Sequence, residues 1–293
     1  MEPLLSIIVV NFNGIKDTLE LLASIEKFLD LDSVEVIVVD NGSLNTESIA
    51  IAKYYPWSVT IRSEVNLGFA GGNNLGIQAS RGKYVMLLNN DTLLKDSSLM
   101  KLPDAFNADS TIGIVSPKIL FHNPAGYIQY AGYSSMSRIT IRNKTIGLMQ
   151  KDEGQFDTIT DTSYAHGAAM VVSREVLENV GMMSELFFLY YEEMDWCEQI
   201  RAKGYRIIYD PSAVIIHKEG MSVGKESPLK KFYMVRNRLL FAKRNRTGVV
   251  RCLSVAYQLL IAVPKEFIRL LLKGNVKAAL SILKGVVWFM LDK

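Results

Sequence analysis

The sequence predicts an α/β protein, with a Rossmann-like, mostly parallel sheet flanked by helices and a helical C-terminal appendage. Three observations carry that expectation. Short β-branched runs alternate with amphipathic stretches through the first hundred residues, in the order βαβαβαβ. The runs are apolar with little alternation, as strands buried on both faces of a parallel sheet are. Beyond Leu229 the pattern is helical to the last residues. At 293 residues, a core of about 200 to 250 residues leaves room for an appendage rather than a second full domain. The expected division is a core over 1–225, in two halves meeting at 117/118, and a helical segment over 226–293.

In chain order, Ser6 to Val10 reads as the first strand and Ile15 to Phe28 as its helix. Val34 to Val39 and Thr46 to Tyr54 repeat the pair, then Val59 to Arg62 with Ala70 to Ala79, and Tyr84 to Leu88 as a fourth strand. Right-handed crossovers would place the carboxyl ends of these strands on one edge, where such sheets bind ligands. Residues 118–165 turn glycine-rich and polar, which predicts hairpins, including an alternating stretch at Ser137 to Ile141, and a mobile loop. Gly167 to Val172 reads as a strand, with helices from Arg174 and over Glu192 to Lys203. The terminal helices fall at Lys230 to Arg244, Val249 to Leu272 and Val276 to Leu291.

Composition narrows the function. Hydrophobic residues make up 49% and mean hydropathy is +0.14, high for a soluble enzyme but too evenly spread for an integral membrane protein. The apolar run Val249 to Val263 is shorter than the roughly 20 residues a spanning helix needs and is interrupted by Arg251, so an interfacial helix is expected. Cys197 and Cys252 are too few for a disulfide framework, which points to a reducing compartment. No charged-then-apolar leader precedes the first strand, so the fold is expected to start at once. A net charge of +3 does not point to nucleic acid. The basic residues gather instead between Lys225 and Arg251, opposed there only by Glu226, as an anionic surface or a solvated helical face would require.

The chemistry sits in the loops. Asn11-Phe12-Asn13-Gly14, Asp40-Asn41-Gly42-Ser43 and Asn89-Asn90-Asp91-Thr92 each follow a strand on the shared edge. Each alone is ordinary turn chemistry, but three together are not. Asp91 ends an apolar strand, where one carboxylate and a second protein ligand suffice for a hard divalent ion that keeps positions open for phosphates. His217 closes the run Ala213 to Ile216 and supplies a candidate second ligand; His122 and His166 have weaker support. Asn66 to Gly76 is a glycine-rich loop entering a helix, able to bring backbone close to phosphate or ribose, and it is neither a dinucleotide fingerprint nor a phosphate-loop motif. Glu192, Glu193 and Asp195 open a helix behind five aromatics, Phe187, Phe188, Tyr190, Tyr191 and Trp196. Clustered carboxylates have the raised proton affinity that a general base wants, and the aromatics resemble a sugar-facing wall.

Taken in order, SIIVVNFNG, VIVVDNGS, NLGFAGGNNLGI, YVMLLNNDT, GAAMVVSREVLENVG, FFLYYEEMDWCEQIRAKGYRI and AVIIHKEGMSVG resemble the family 2 glycosyltransferases over about Leu4 to Arg246. The stretches around Asn66 and Asn89 are most similar to the rhamnosyltransferase-type branch. The resemblance implies a glycosyltransferase A fold with a nucleotide-binding half over 1–117 and an acceptor half over 118–225. Asp91 matches the last position of the DxD motif and His217 the later metal-binding histidine, with Mn²⁺ or Mg²⁺ as cofactor. Asn89 departs from DxD. Asp40 corresponds to the residue that hydrogen-bonds the donor's pyrimidine, and Val10, Asn11 and Phe12 lie where the base is cradled. Asn66, Gly71, Asn74, Asn89 and Asn90 belong to the nucleotide-sugar site by the same matching. Glu193 takes the position of the base, and Tyr190, Tyr191, Glu192 and Trp196 are expected on the acceptor side. Gln199 stands where an arginine is usual, and Tyr233, Arg236 and Asn237 match a further stretch near the diphosphate or acceptor.

The implied reaction is an inverting in-line displacement from a dTDP- or UDP-sugar, dTDP-rhamnose first, onto a glycan or lipid-linked acceptor in cell-surface polysaccharide synthesis. The implied location is cytoplasmic, peripheral on the inner face of the membrane, with the C-terminal helices meeting the membrane surface or else packing on the core or as a homodimer interface. The rival reading is a catalytically silent nucleotide-sugar-binding or scaffold protein, for which Asn89 and Gln199 speak. A nucleotidyltransferase lacks its glycine-rich loop with a basic residue after Val10.

Overall fold

The computed structural model describes residues 3–218 and 226–291. The end of the AVIIHKEGMSVG stretch beyond Lys218, and Lys225 with the expected boundary beside it, lie outside those residues. The elements run β1 (Leu5–Asn11), α1 (Ile15–Phe28), β2 (Val34–Asn41), α2 (Glu47–Tyr54), β3 (Val59–Ser63), α3 (Gly68–Ala79), β4 (Tyr84–Leu88), β5 (Thr92–Leu94) and α4 (Asp104–Ala108). They continue with β6 (Ile112–Phe121), β7 (Ile128–Tyr130), β8 (Thr160–Asp161), β9 (Ala169–Ser173), α5 (Arg174–Val180), α6 (Glu192–Ala202) and β10 (Arg206–His217). Four helices follow: α7 (Pro228–Asn245), α8 (Gly248–Tyr257), α9 (Val263–Leu272) and α10 (Val276–Leu291).

The strands form one sheet in the order β3-β2-β1-β4-β9-β6-β10-β5, with β7 beside β6 and β8 beside β10. Pairing is parallel from β3 through β2 and β1 to β4, and again between β6 and β10. β9 runs antiparallel to both β4 and β6, so β4 and β6 still point the same way. The carboxyl ends of β1, β2, β4 and β10 therefore share an edge with the residues that lead into β9. Alternation along β1 sends Leu5, Ile7 and Val9 to one face, against Leu21, Leu22 and Ile25 of α1, and Ile8 to the other, with Ile77 of α3 and Trp196 of α6. Gly76 has a packing reason to be glycine: a Cβ there would stand 2.4 Å from Ile8 Cγ2.

Three differences from the sequence reading have physical causes. β6, a central strand buried along its whole length, and most of β10 went unread, because Pro117 and Lys118 break the apolar run of one and Asp210-Pro211-Ser212 that of the other. Ser137 to Ile141 form a turn, closed by hydrogen bonds from Ser137 N to Arg142 O and from Ile141 N to Ser137 O, rather than a strand. The stretch expected as one helix over 249–272 is divided into α8 and α9 by a π-helical turn at Gln258–Ala262, just ahead of Pro264 where a backbone donor is missing.

The C-terminal segment is not uniformly an appendage. Leu240, Phe241 and Ala242 of α7 sit in the same core cluster as Tyr191, Trp196 and Ile200. Burying Phe241 there contributes about 2 kcal/mol. Of the basic residues that mark this helix in the sequence, Lys243 and Arg244 are exposed, whereas Arg236 is buried against the segment before α6.

Candidate active site

Asp91 and His217 meet at the sheet edge. Asp91 Oδ1 stands 3.0 Å from His217 Nε2, and His217 Nδ1 is 2.8 Å from Gln129 Oε1. All three residues are buried. β10 delivers the histidine and the turn after β4 the aspartate, and β5 ties them through the pairing of Thr92 with His217. His217 bridges Gln129 and Asp91, and in the tautomer that donates its Nδ1–H to Gln129 Oε1 the Nε2 lone pair lies beside the Asp91 carboxylate, so that the two present one nitrogen and one oxygen to a cation. The donor set thus fits a divalent ion with one oxygen and one nitrogen ligand, and among the described residues no group of three or more His, Cys, Asp or Glu side chains is placed to hold a metal. Gln129, which orients the imidazole, had no signal in the sequence. It lies on the three-residue strand β7, far from any motif. His166 is the neighbour on the other side, its ring 6.1 Å from that of His217, and burial pushes it down to about 3, so it stays neutral.

The loops after β1 and β2 are cross-linked to this pair. Asn11 pairs in register with Asp40. Its side chain is fully buried and bonds Thr18 Oγ1 and Glu47 Oε2, each at 2.7 Å. Asn90 reaches the same Thr18 at 3.1 Å, joining the β4 turn to α1. Asp40 accepts from the backbone of Ser43 and Ser48 and from Arg62 at 2.7 Å. Burial alone would raise its carboxyl, but the bonds from Ser43, Ser48 and Arg62 prevail and hold it below the usual range. Asn66 accepts from Asn41, whose own oxygen takes the Leu67 N–H. Asn41 is a loop-joining residue the sequence reading did not single out. Phe12 is 45% exposed beside a half-buried Val10.

Of the expected nucleotide-site residues, Val10, Phe12, Asn66, Asn89 and Asn90 reach the edge at least partly exposed, while Asn11, Asp40, Gly71 and Asn74 are buried. Asn74 differs most from expectation. It exchanges hydrogen bonds with the backbone of Met183 and donates to Glu185, pinning α3 to the segment before α6. The Asn89 side chain makes no hydrogen bond among the described residues, while its backbone binds Ala168 and Thr92. An amide there can donate a hydrogen bond to an anion, whereas an aspartate carboxylate only accepts and meets an anion through a bridging cation.

Glu193 stands on the other side of the segment that leads into β9. Gly167, two residues before β9, faces it, so that a Cβ at Gly167 would lie 3.7 Å from Glu193 Cγ and equally near Phe69 Cζ. Asn89 N bonds the carbonyl of Ala168, the next residue, so Glu193 and the Asp91 turn lie against the same short segment. Burial raises the proton affinity of Glu193, outweighing bonds from backbone N–H groups. Glu192 is raised too, by burial first and by the neighbouring Glu193 charge second, and its Oε2 has no hydrogen-bond partner.

The segment before these acids is strained. Phe188, Tyr190 and Tyr191 have φ of 64°, 71° and 77°, a region that costs non-glycine residues about 1 kcal/mol or more each. Gly68 meets this loop so closely that a Cβ on it would fall 2.2 Å from Phe188 O. α7 holds the strained loop in place. Asn237 Nδ2 donates to the carbonyls of Phe187, Leu189 and Tyr190 at 2.7 to 2.8 Å, and Arg236 Nη2 to those of Leu186 and Phe187. Further along, Arg244 and Asn245 bind Asp195, and Gln199 bonds Asn245, so the position where arginine was expected joins the same interface. On the acceptor side one expectation is corrected: Trp196 is 1% exposed, packs in the core and donates its indole N–H to Gly181 O, so it forms no wall open to an acceptor. Tyr191 is buried against Phe241, whereas Tyr190 remains half-buried at the surface.

Comparison with known proteins identifies the family and the fold. The family profile described as Glycosyl transferase family 2 matches residues 6–181. A relative from Haloferax volcanii, the low-salt glycan biosynthesis hexosyltransferase Agl10, is 28% identical over 243 residues, 80% of this chain and 74% of that one. The dTDP-rhamnosyl transferase RfbF of Shigella flexneri is 24% identical over 271 residues, 86% of each chain. Among solved structures, the mannosyltransferase PcManGT from Pyrobaculum calidifontis, in complex with GDP-Man and Mn²⁺, superposes with a TM-score of 0.61 at 16% identity, covering 100% of this chain and 88% of that one. With the profile spanning more than half of its length and the sheet arranged as described, the chain belongs to glycosyl transferase family 2 and has the glycosyltransferase A fold.

Proposed function

We propose that this chain transfers a sugar from a nucleoside diphosphate onto an acceptor hydroxyl, with inversion, in the assembly of a surface glycan. The observation that carries the proposal is the Asp91–His217 pair on the same sheet edge as a raised-affinity carboxyl, Glu193. A divalent ion, Mn²⁺ or Mg²⁺, held by Asp91 and His217 would neutralise charge on the departing diphosphate. The Asn89 amide donates to the same diphosphate or to the ribose. Asp40, Asn66 and Phe12 shape the pocket for the base. Asp40 does so by fixing the β2 loop, since its carboxylate is already engaged. Glu193 takes the proton of the acceptor hydroxyl as that oxygen attacks the anomeric carbon, and the carbon–phosphate oxygen bond breaks on the opposite face. Positioning by the strained loop and electrostatic stabilisation by the edge residues supply most of the acceleration.

The donor we propose is dTDP-rhamnose, for which the Shigella relative's name is the support, with a UDP-hexose as the alternative. The acceptor is a glycan or lipid-linked saccharide. The test is product analysis with a donor panel, Mn²⁺ and membrane extract as acceptor source. Release of free nucleoside diphosphate supports transfer. Pyrophosphate would indicate nucleotidyl chemistry, and donor binding without turnover a silent scaffold.

A peripheral place on the inner membrane face belongs to the same proposal. Among the described residues no helix is long and apolar enough to cross a membrane. Yet Leu260 and Leu272 are 76% and 84% exposed, and Ile261, Ile268 and Leu271 are exposed between them. Apolar side chains on helices that also carry lysine and arginine suit an anionic interface. Leu260→Asp with Leu272→Asp is expected to abolish co-flotation with vesicles containing phosphatidylglycerol; undiminished flotation would remove the membrane from the proposal.

A further inference from the structure

Between α7 and the helix formed by α8, the π-helical turn and α9 lies a groove of about 230 Å³. Its walls carry four cations, Arg142, Lys230, Lys231 and Arg238, against one carboxylate, Glu266. Met234, Leu239 and Val263 supply an apolar floor. Lys231 is paired with Glu266 at 2.8 Å, and Arg238 Nε donates to Tyr191 Oη at 2.8 Å. Arg142 and Lys230 have no acidic partner among the described residues. Arg142 is held at the mouth by its own turn, because Ser254 of α8 and Gln258 of the π-helical turn donate to the carbonyls of Ile139 and Thr140. The groove thus combines uncompensated positive charge, a fixed rim and apolar lining.

Its two ends decide what it holds. Two of the lining residues touch the loop before α6: Lys230 Nζ lies 5.4 Å above the Tyr190 ring, and Arg238 bonds Tyr191, the residue before Glu192 and Glu193. At its other limit the lining reaches Ala262 and Val263, and the exposed Leu260 and Ile261 immediately precede these in the chain. Its volume is below the roughly 300–1,000 Å³ of pockets that enclose whole drug-sized ligands, which suits a headgroup whose chain continues outside. Arginine and lysine on opposite walls match the several oxygens of a diphosphate better than a single carboxylate.

We infer that this groove binds the diphosphate of a lipid-linked acceptor, with Arg142 and Lys230 as the principal contacts, the lipid chain leaving over Leu260 and Ile261, and the acceptor sugar projecting past Tyr190 toward Glu193. The inference deepens the transferase proposal and rests on it for its physiological meaning, but the binding itself is separable. Charge complementarity selects an anion, and the apolar floor and lip select an amphiphile.

The experiment measures binding of farnesyl diphosphate, farnesol and inorganic pyrophosphate to the full chain by isothermal titration calorimetry, in EDTA so that the metal-dependent donor site is silent. Farnesyl diphosphate is expected to bind about tenfold or more tightly than either partial probe, and Arg142→Glu with Lys230→Glu to weaken it by about tenfold or more. The milder pair Arg142→Gln with Lys230→Gln carries the same expectation at about three- to tenfold and serves if the charge reversal unfolds the chain. Affinity equal in wild type and variants overturns the inference. Farnesol binding as well as farnesyl diphosphate would make the groove merely apolar, and pyrophosphate binding equally well would make it a site for free phosphates; either result also overturns it. Thermal stabilisation by donor and Mn²⁺ should persist in both variant pairs. Its absence from wild type and variants alike would count against the transferase proposal, not the groove.

Discussion

The two sides of the proposed site are built by opposite means. On the proposed donor side, most of the groups follow strands β1, β2 and β4 within the first 91 residues and are aligned by the parallel sheet, with His217 of β10 and Gln129 of β7 completing the pair at Asp91. On the acceptor side, Glu192 and Glu193 follow a loop with three non-glycine residues at positive φ, and Arg236 and Asn237, almost fifty residues later, hold that loop. A regular sheet edge is self-supporting, whereas a strained loop must be over-determined by its surroundings. The donor side should therefore tolerate damage to α7, and the acceptor side should not.

The sharpest way to separate the two sides is Glu193→Gln. It removes the proton acceptor at nearly constant volume, and kcat is expected to fall about 10²- to 10⁴-fold, while calorimetric donor affinity stays unchanged. A parallel loss of donor affinity would break the division. Asn237→Ala comes next in size. It removes the side-chain donor of the Leu189 and Tyr190 carbonyls, leaves that of Phe187 to Arg236, and opens a void in a fully buried position, so about 2–4 kcal/mol of stability is expected to go. Urea unfolding measures that loss, and turnover measured below the unfolding transition should fall more than donor affinity. If both fall together, or neither does, α7 is not what holds the acceptor side.

A smaller effect concerns the charge stored there. The Glu192 carboxyl is raised above its ordinary 4.5 by burial and by Glu193. The folded state then binds the proton more tightly than the unfolded one, so this group's contribution is fully favourable below 4.5 and is lost as pH rises through the raised value. Glu192→Gln should accordingly raise the melting temperature at pH 8 and change it little at pH 4. A uniform shift at both pH values would show that ionisation of Glu192 is not the source of the cost.

How much of this was legible in the sequence follows the same division. Asp91, Asp40, Asn66 and Asn89 could be placed on one edge because apolar strands and asparagine-rich turns recur in order, and the period of a parallel sheet does the rest. Gln129, by contrast, sits on a strand of three residues with no pattern around it. Asn237 is singled out in the sequence only by resemblance, and nothing in the local pattern shows that α7 packs into the core and holds the loop before α6. Asn74 and Trp196 belong to recognisable stretches, but motif matching cannot tell which face of a helix turns inward, and both proved to be packing and hydrogen-bonding residues of the interior. The π-helical turn just ahead of Pro264 left no trace in periodicity at all.

The central claim is that the Asp91–His217 pair serves donor binding while Glu193 serves the acceptor. The most direct test is thermal shift with a panel of nucleoside diphosphate sugars, with and without Mn²⁺, on the wild type, Asp91→Ala and Glu193→Gln. The account predicts Mn²⁺-dependent stabilisation by one donor, lost in Asp91→Ala and retained in Glu193→Gln. Stabilisation that survives Asp91→Ala, or its absence with every donor, would contradict it.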